Sequence, residues 1–193
     1  MSTTEKAALR QHFRHLRQQL NVETRMVYAK QATQLLIKQD CFRESQHIAC
    51  YLSVKSEMDV MPLMEIIWQN NKKCYLPVLS HQNDLGFVHY ENHDDLIPNQ
   101  FGIMEPKFKD QKISLEKLDI IIMPLIAFDQ KGHRLGAGGG YYDKTFANVA
   151  KDQRQPLRIG WAFSIQQAEQ LPHDVWDVDL HALVTENKFL IFK

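Results

Sequence analysis

Cysteine is scarce in this sequence. Three thiols in 193 residues, Cys41, Cys50 and Cys74, form neither an even framework nor a CxxC pair, so a disulfide scaffold and a zinc knuckle have no support. No stretch approaches 18 consecutive apolar residues, and the first residues, MSTTEKAALRQHFRHL, carry charge every few positions with no apolar core. Neither a membrane span nor a secretory signal is expected, and a reducing, cytoplasmic setting fits best. Charge of one sign is missing too: Lys plus Arg and Asp plus Glu both number 23, so no general basic field exists to gather nucleic acid or anionic membrane. Nine histidines occur without HExxH or HxH spacing, and His12 and His15, on one helical face, sit beside Arg14 and Arg17. They read as structural or solvated. Repeats, low-complexity tracts and linkers are also lacking, which leaves one domain over residues 1–193 as the expectation.

What is present is an ordinary globular composition, 44% hydrophobic and 24% charged. Leu9, Phe13, Leu16 and Leu20 recur at helical spacing and predict an amphipathic helix over Thr3 to Leu20. A second helix is expected over Val22 to Gln39, with Val27, Leu35, Leu36 and Ile37 on its core face. The pattern then changes: strands over His47–Leu52, Lys73–Leu79 and Gly86–Glu91, a helix over Met61–Asn70, and a loop-rich stretch with Pro98 and Pro106. The run LDIIIMPLIAF, Leu118 to Phe128, reads as one strand covered on both faces. A helix over Tyr141–Ala150 follows, then strands over Leu157–Phe163, Ala182–Thr185 and Phe189–Phe192. Alternating helices and buried strands imply an α/β fold, a parallel-rich central sheet covered by helices, with an N-terminal helical segment.

Five of the eight glycines lie between Gly132 and Gly140, in DQKGHRLGAGGGYYDK, directly after the most apolar strand and before a helix. Gly136, Gly138, Gly139 and Gly140 let the backbone turn sharply and bring N–H groups to an anion, with the positive end of the next helix behind them. Phosphate is the natural guest, although the loop is neither a Walker A nor a GxGxxG motif. Arg134 before the glycines and Lys144 after them can neutralise phosphate oxygens, and Asp143 can hold a Mg²⁺ ion. A second acidic loop, HDVWDVDLH, offers Asp174, Asp177 and Asp179 just before the last core strand. Lys6, Arg10, Arg14 and Arg17 form a basic stripe on the first helix, which by itself reads as a solvated face. Glu57 follows the first strand, where a carboxylate at the ligand edge of a parallel sheet would lie.

MPLIAFDQKGHRLGAGGGYYDK, together with KAALR, YLSVKSEMD, FGIMEP and LPHDVWDVDLHALVTE, resembles the 5-formyltetrahydrofolate cyclo-ligase family, the methenyltetrahydrofolate synthetases, nearly end to end. The resemblance implies ATP- and Mg²⁺-dependent closure of 5-formyltetrahydrofolate to 5,10-methenyltetrahydrofolate with release of ADP and phosphate. The formyl oxygen would be phosphorylated and then displaced by the nitrogen at position ten. Such chemistry needs positioning and electrostatics rather than a protein nucleophile, which agrees with the lack of a Ser/His/Asp or Cys/His signature. On the same resemblance, ATP contacts fall on Lys6, Arg10, Arg134, Leu135, Gly136, Ala137, Gly138, Gly139, Gly140, Tyr141 and Tyr142, with Arg134 and Lys144 acting on the transferring phosphoryl group. Mg²⁺ falls to Asp143 and Asp177. Folate contacts fall on Leu52, Glu57, Phe101 and the Gly138–Tyr142 segment. Some relatives carry Lys where this chain has Gly139, a charge that Lys144 can supply, and His181 stands where Asp is frequent.

Small-molecule substrates, a monomer, and no nucleic-acid or membrane partner are therefore expected. Two other readings remain at this point: a nucleotide- or phosphosugar-binding module without ligase chemistry, and an RNA-binding protein using the basic first helix.

Overall fold

The computed structural model describes residues 3–80, 83–108, 111–147, 149 and 154–192. Two helices open the chain, α1 over Thr3–Gln19 and α2 over Val22–Leu36. Asn21 caps α2 by accepting the Thr24 N–H at 2.7 Å. A short helix α3, Asp40–Glu44, leads into β1, His47–Ala49. Helix α4, Met61–Gln69, connects to β2, Lys73–Leu79, which turns back as β3, Leu85–His89. The small hairpin β4–β5, Leu96–Pro98 and Met104–Pro106, precedes β6, Lys112–Ile113, and β7, Ile120–Pro124. Beyond lie the β8–β9 pair, Ala127–Phe128 and Arg134–Leu135, and α5, Tyr141–Ala147. Strands β10, Leu157–Trp161, β11, Ala182–Val184, and β12, Phe189–Ile191, complete the order.

The central sheet runs β12-β11-β10-β7-β1-β2-β3-β6. Its five middle strands pair in parallel, and β12, β3 and β6 add antiparallel edges. The doubly covered position of β7 explains its unbroken apolar sequence. Ile120 and Ile122 pack with Ala29, Ala32, Leu36, Leu63 and Met64 of α2 and α4, whereas Ile121 and Met123 face Ala49, Phe87, Phe146 and Leu183 on the other side. Helix α1 lies elsewhere, with Phe13 packed on Ile126, Ala127, Leu135 and Leu171 at the end of β7.

Several boundaries differ from the sequence expectation. The run Leu118–Phe128 is not one strand: β7 ends at Pro124, and Ala127–Phe128 pairs antiparallel with β9 instead. The sheet loses its hold because other donors take the next carbonyls. Gln166 Nε2 donates to Leu125 O and Ile126 O, both at 3.0 Å, and Arg17 Nη1 reaches Leu125 O at 3.4 Å. The first strand ends at Ala49 and β10 at Trp161, each earlier than expected. Val27 is exposed, not core-facing, because the buried side of α2 is Ala29, Ala32, Thr33 and Leu36. The stretch expected to be loop contains β4, β5 and β6, and α2 ends at Leu36, short of the expected Gln39, which instead precedes α3. Helix α5 has seven residues, and Ala150, its expected end, lies outside the described residues.

Candidate active site

A cavity of about 640 Å³ opens where the chain leaves the carboxyl ends of β1, β2 and β7, the edge at which parallel α/β sheets bind ligands. The segment after β1 supplies Tyr51, Leu52, Val54 and Glu57, β2 supplies Pro77 and Leu79, and the bend after β7 supplies Leu125 and Ile126. The turn of the β4–β5 hairpin forms one wall, the glycine loop another, and α1 with Trp176 and Asp177 closes the end.

Every residue expected at the site lines this cavity: Lys6, Arg10, Leu52, Glu57, Phe101, the whole run from Arg134 to Lys144, and Asp177. The lining is chemically divided. Lys6, Arg10, Arg134 and Lys144 gather near the glycines, while Leu52, Leu76, Pro77, Leu79 and Leu85 provide an apolar section. Phe101, on the turn after β4, faces Tyr141 of the glycine loop with ring centroids 6.2 Å apart. Asn99 shapes that turn: its Oδ1 accepts the N–H groups of Phe101 and Ile103 at 2.9 and 3.0 Å, and its Nδ2 donates to Glu105 at 2.7 Å.

In the loop, Gly138 has φ +115° and Gly140 φ +65°, conformations that side chains oppose. The guanidinium of Arg10 packs 3.6 Å from where a Cβ on Gly138 would stand, and Arg10 Nε donates to Gly136 O at 2.9 Å. A Cβ on Gly139 would come within 2.4 Å of the Tyr141 ring, so Gly139 lies directly under an aromatic wall. Helix α5 begins at Tyr141, directly after the last of these glycines.

Arg134 is the most unusual of those cations. Its side chain is 5% exposed, Nη2 donates to Asp143 Oδ1 at 2.5 Å, and Nε, fully buried, has no hydrogen-bond partner among the described residues. A buried donor left unpaired costs about 1 to 3 kcal/mol. An incoming anion would supply the missing acceptor.

Lys6 Nζ bonds Asp174 Oδ2 at 2.8 Å and Asp177 Oδ2 at 2.7 Å. Burial works against the Lys6 charge, but those two carboxylates outweigh it and raise its pKa. Burial likewise works against ionised Asp177, yet the bond from Lys6 and the one from the Asp174 N–H hold its pKa low. Asp143 Oδ1 also accepts the Val178 N–H at 3.0 Å, which brings the start of α5 against the loop carrying Asp177. Among the described residues, Asp143 Oδ2 and Asp177 Oδ1 make no hydrogen bond. Both residues line the cavity, and carboxylate oxygens are the ligand type Mg²⁺ takes alongside water and substrate oxygens.

The basic stripe of α1 is not a solvated face. Besides Lys6 and Arg10, Arg14 reaches Ala137 O at 3.3 Å, and Arg17 is buried, donating to Ser56 Oγ at 3.3 Å and lying 4.0 Å from Glu57. Burial pushes the Glu57 pKa up, with the Val54 N–H and the Arg17 and Arg14 charges opposing. His181 stands apart from the cavity: it accepts the Arg158 N–H at 3.0 Å at the start of β11 and serves the sheet.

The sequence pattern of the 5-formyltetrahydrofolate cyclo-ligase family matches residues 2–186. The chain belongs to that family. It is 36% identical over 178 residues to the 5-formyltetrahydrofolate cyclo-ligase of Escherichia coli K12, an alignment covering 91% of this chain and 97% of the relative. Identity to the Haemophilus influenzae cyclo-ligase is 37% over 183 residues, covering 93% and 97%. Among solved structures, the Aquifex aeolicus 5,10-methenyltetrahydrofolate synthetase superposes with a TM-score of 0.83 at 32% identity, covering 97% of this chain and 93% of that one. The chain is thus an enzyme of the cyclo-ligase family, and its mostly parallel sheet is the family's fold.

Trp176, Glu105, Asn99 and Arg17 belong to the site's surroundings without having been singled out from sequence for it, whereas Asp174 was one of the three aspartates the acidic loop offered. FGIMEP contained the signal for Glu105, a buried acidic residue next to a proline; the others depend on contacts that no local pattern reveals.

Proposed function

We propose that this chain closes 5-formyltetrahydrofolate to 5,10-methenyltetrahydrofolate with consumption of ATP in the presence of Mg²⁺, as one cyclo-ligase domain spanning residues 1–193. The observation that carries the reading is the buried Arg134 with an unpaired Nε on a cavity whose lining is cationic at one end and apolar at the other. Two substrates of opposite chemistry suit such a cavity, and its volume lies in the range of roughly 300 to 1,000 Å³ usual for small-molecule sites.

ATP phosphates would take the glycine-loop amides, Lys6, Arg10 and Arg134, while the pterin would lie on the apolar section between Leu52, Glu57 and Phe101. Lys6 and Arg134, now paired with carboxylates, would exchange them for phosphate oxygens, and Asp143 and Asp177 would then be free to hold the metal. Magnesium supplies neutralisation of charge on the phosphate oxygens. The formyl oxygen attacks the γ-phosphorus and ADP departs. The nitrogen at position ten then bonds to the formyl carbon, giving up its proton, and phosphate leaves with the former formyl oxygen. Arg134 and Lys144 would act on the charge of the transferring group, and the enclosed walls would keep water from the phosphorylated carbon.

No helix among the described residues is long and apolar enough to cross a membrane, and three unpaired thiols support the cytoplasm as the place of action, with a monomer as the working unit. The inward contacts of Lys6, Arg10 and Arg17 argue against an RNA-binding reading that needs these cations free. The test is direct: purified protein, 5-formyltetrahydrofolate and Mg²⁺ are followed by the absorbance of methenyltetrahydrofolate with and without ATP. Product only with ATP is expected, and product at full rate without it would overturn the reading.

A further inference from the structure

Beside the cavity but outside its lining, three side chains distant in sequence converge. His133, His173 and Asp179 each present a ligand atom within 4.8 Å of the others. The two imidazoles are stacked, centroids 4.2 Å apart at 24°, and His173 Nε2 lies 2.9 Å from Asp179 Oδ1.

The framework under this cluster is rigid. Asp129, 1% exposed, accepts the N–H groups of Lys131, His133 and Leu171 at 2.9, 3.1 and 3.1 Å, and its Oδ2 lies 2.9 Å from His133 Nδ1. It therefore fixes the His133 ring with Nε2 left for another partner, and it pins the backbone two residues before His173. At the other end of the loop, the Leu180 N–H donates to Gly132 O at 3.0 Å, next to Asp179. All three side chains hang from backbone anchored to one turn, residues 129–133.

A buried carboxylate orienting one imidazole nitrogen so that the other can bind metal is the usual outer shell of a histidine metal site. Two imidazoles and a carboxylate suit zinc-type ions, which take tetrahedral N/O sites and leave a fourth position for water; magnesium prefers all-oxygen octahedra. Tetrahedral bonds of roughly 2.0 to 2.1 Å place donors about 3.4 Å apart, a contraction within the reach of side-chain torsions. Because His173 and Asp179 are exposed, the ion could enter from solvent without opening the core.

We propose that His133, His173 and Asp179 bind one zinc-type divalent cation. The ion clamps the loop that carries Asp174 and Asp177, the partners of Lys6, to the turn that runs directly into Arg134. It braces the phosphate end of the cavity from outside and takes no part in the reaction.

The experiment uses the full chain, stripped with chelator, dialysed, and titrated with zinc chloride by calorimetry in the presence of excess Mg²⁺. One equivalent should bind, and zinc should raise the thermal midpoint. His173→Asn and Asp179→Asn, both exposed, should each weaken binding at least about tenfold, and the His133→Asn/His173→Asn double variant should lose both binding and the thermal shift. His12→Asn/His15→Asn should bind as the unaltered chain does. Cobalt substituted for zinc should give the visible spectrum of a tetrahedral ion. Failure of the unaltered chain to bind an equivalent, unchanged affinity in His173→Asn and Asp179→Asn, or loss of binding in the His12→Asn/His15→Asn control would each overturn the proposal.

Discussion

Arg134 and Asp143, nine residues apart across the glycine loop, are joined by a 2.5 Å hydrogen bond that uses one guanidinium nitrogen and leaves Nε buried without a partner among the described residues. The pair sets a cation and a carboxylate side by side at one end of the cavity.

Arg134→Lys should not be conservative. A planar guanidinium can bond two phosphate oxygens at a fixed angle, and an ammonium cannot. Loss of one charge-assisted hydrogen bond, about 1.5 to 3 kcal/mol, should cost roughly 10- to 150-fold. The loss should fall on kcat, because the loop amides, Lys6 and Arg10 remain to grip ATP in the ground state. Steady-state kinetics decide it; kcat and the KM for ATP both within twofold of the unaltered enzyme would show that Arg134 only closes the turn.

Asp143→Asn and Asp177→Asn should both raise the Mg²⁺ concentration needed for half-maximal rate. The amide oxygen of the first variant can still accept the Val178 N–H, so its fold should survive. Asp177→Asn should also lose acid-sensitive stability: the carboxylate's lowered pKa means a contribution present above its ordinary 3.8 and lost as pH falls through the folded value. An Asp174→Asn variant that alone changes the Mg²⁺ requirement would move the metal to Asp174.

Glu57→Gln should raise the KM for the folate more than that for ATP, since Glu57 lines the cavity after β1, beside Leu52. Burial raises its pKa above the ordinary 4.5. The folded state therefore binds this proton more tightly, and its contribution to stability falls as pH rises from 4.5 through the folded value. The same ionisation should appear as an acid limb in kcat/KM for the folate, absent in Glu57→Gln. Equal changes in the two KM values would argue against a pterin contact.

Much of the site was legible because its chemistry is local in sequence. Five glycines between Gly132 and Gly140, with Arg134, Asp143 and Lys144 close by, mark a candidate anion loop from sequence alone, and the cavity is lined by four of those glycines and all three side chains. The unbroken apolar run IIIM of β7 similarly announces a strand covered on both faces. What escaped is held by distant partners. Arg17 reads as one more cation of a surface stripe until Ser56 and Leu125 O, 39 and 108 residues away, bury it. The apolar run after β7 reads as strand because nothing in it shows that Gln166 will capture its carbonyls. Val27 fits helical spacing, but the small Ala29 and Ala32 set which side of α2 can approach the sheet.

Gln166→Leu should test that break in the strand. It removes a buried side chain that satisfies Leu125 O and Ile126 O, leaving at least the second unpaired, and should cost about 2 to 4 kcal/mol in chemical denaturation. A change below about 0.5 kcal/mol, the usual size for a surface substitution, would mean that the bend is held by packing alone.

The coupling of ATP cleavage to ring closure is measured most directly by counting ADP and methenyltetrahydrofolate formed in the same reaction. The account predicts equal amounts throughout the time course and no ADP when 5-formyltetrahydrofolate is left out. Product exceeding ADP, or ADP accumulating at an undiminished rate without the folate, would contradict it.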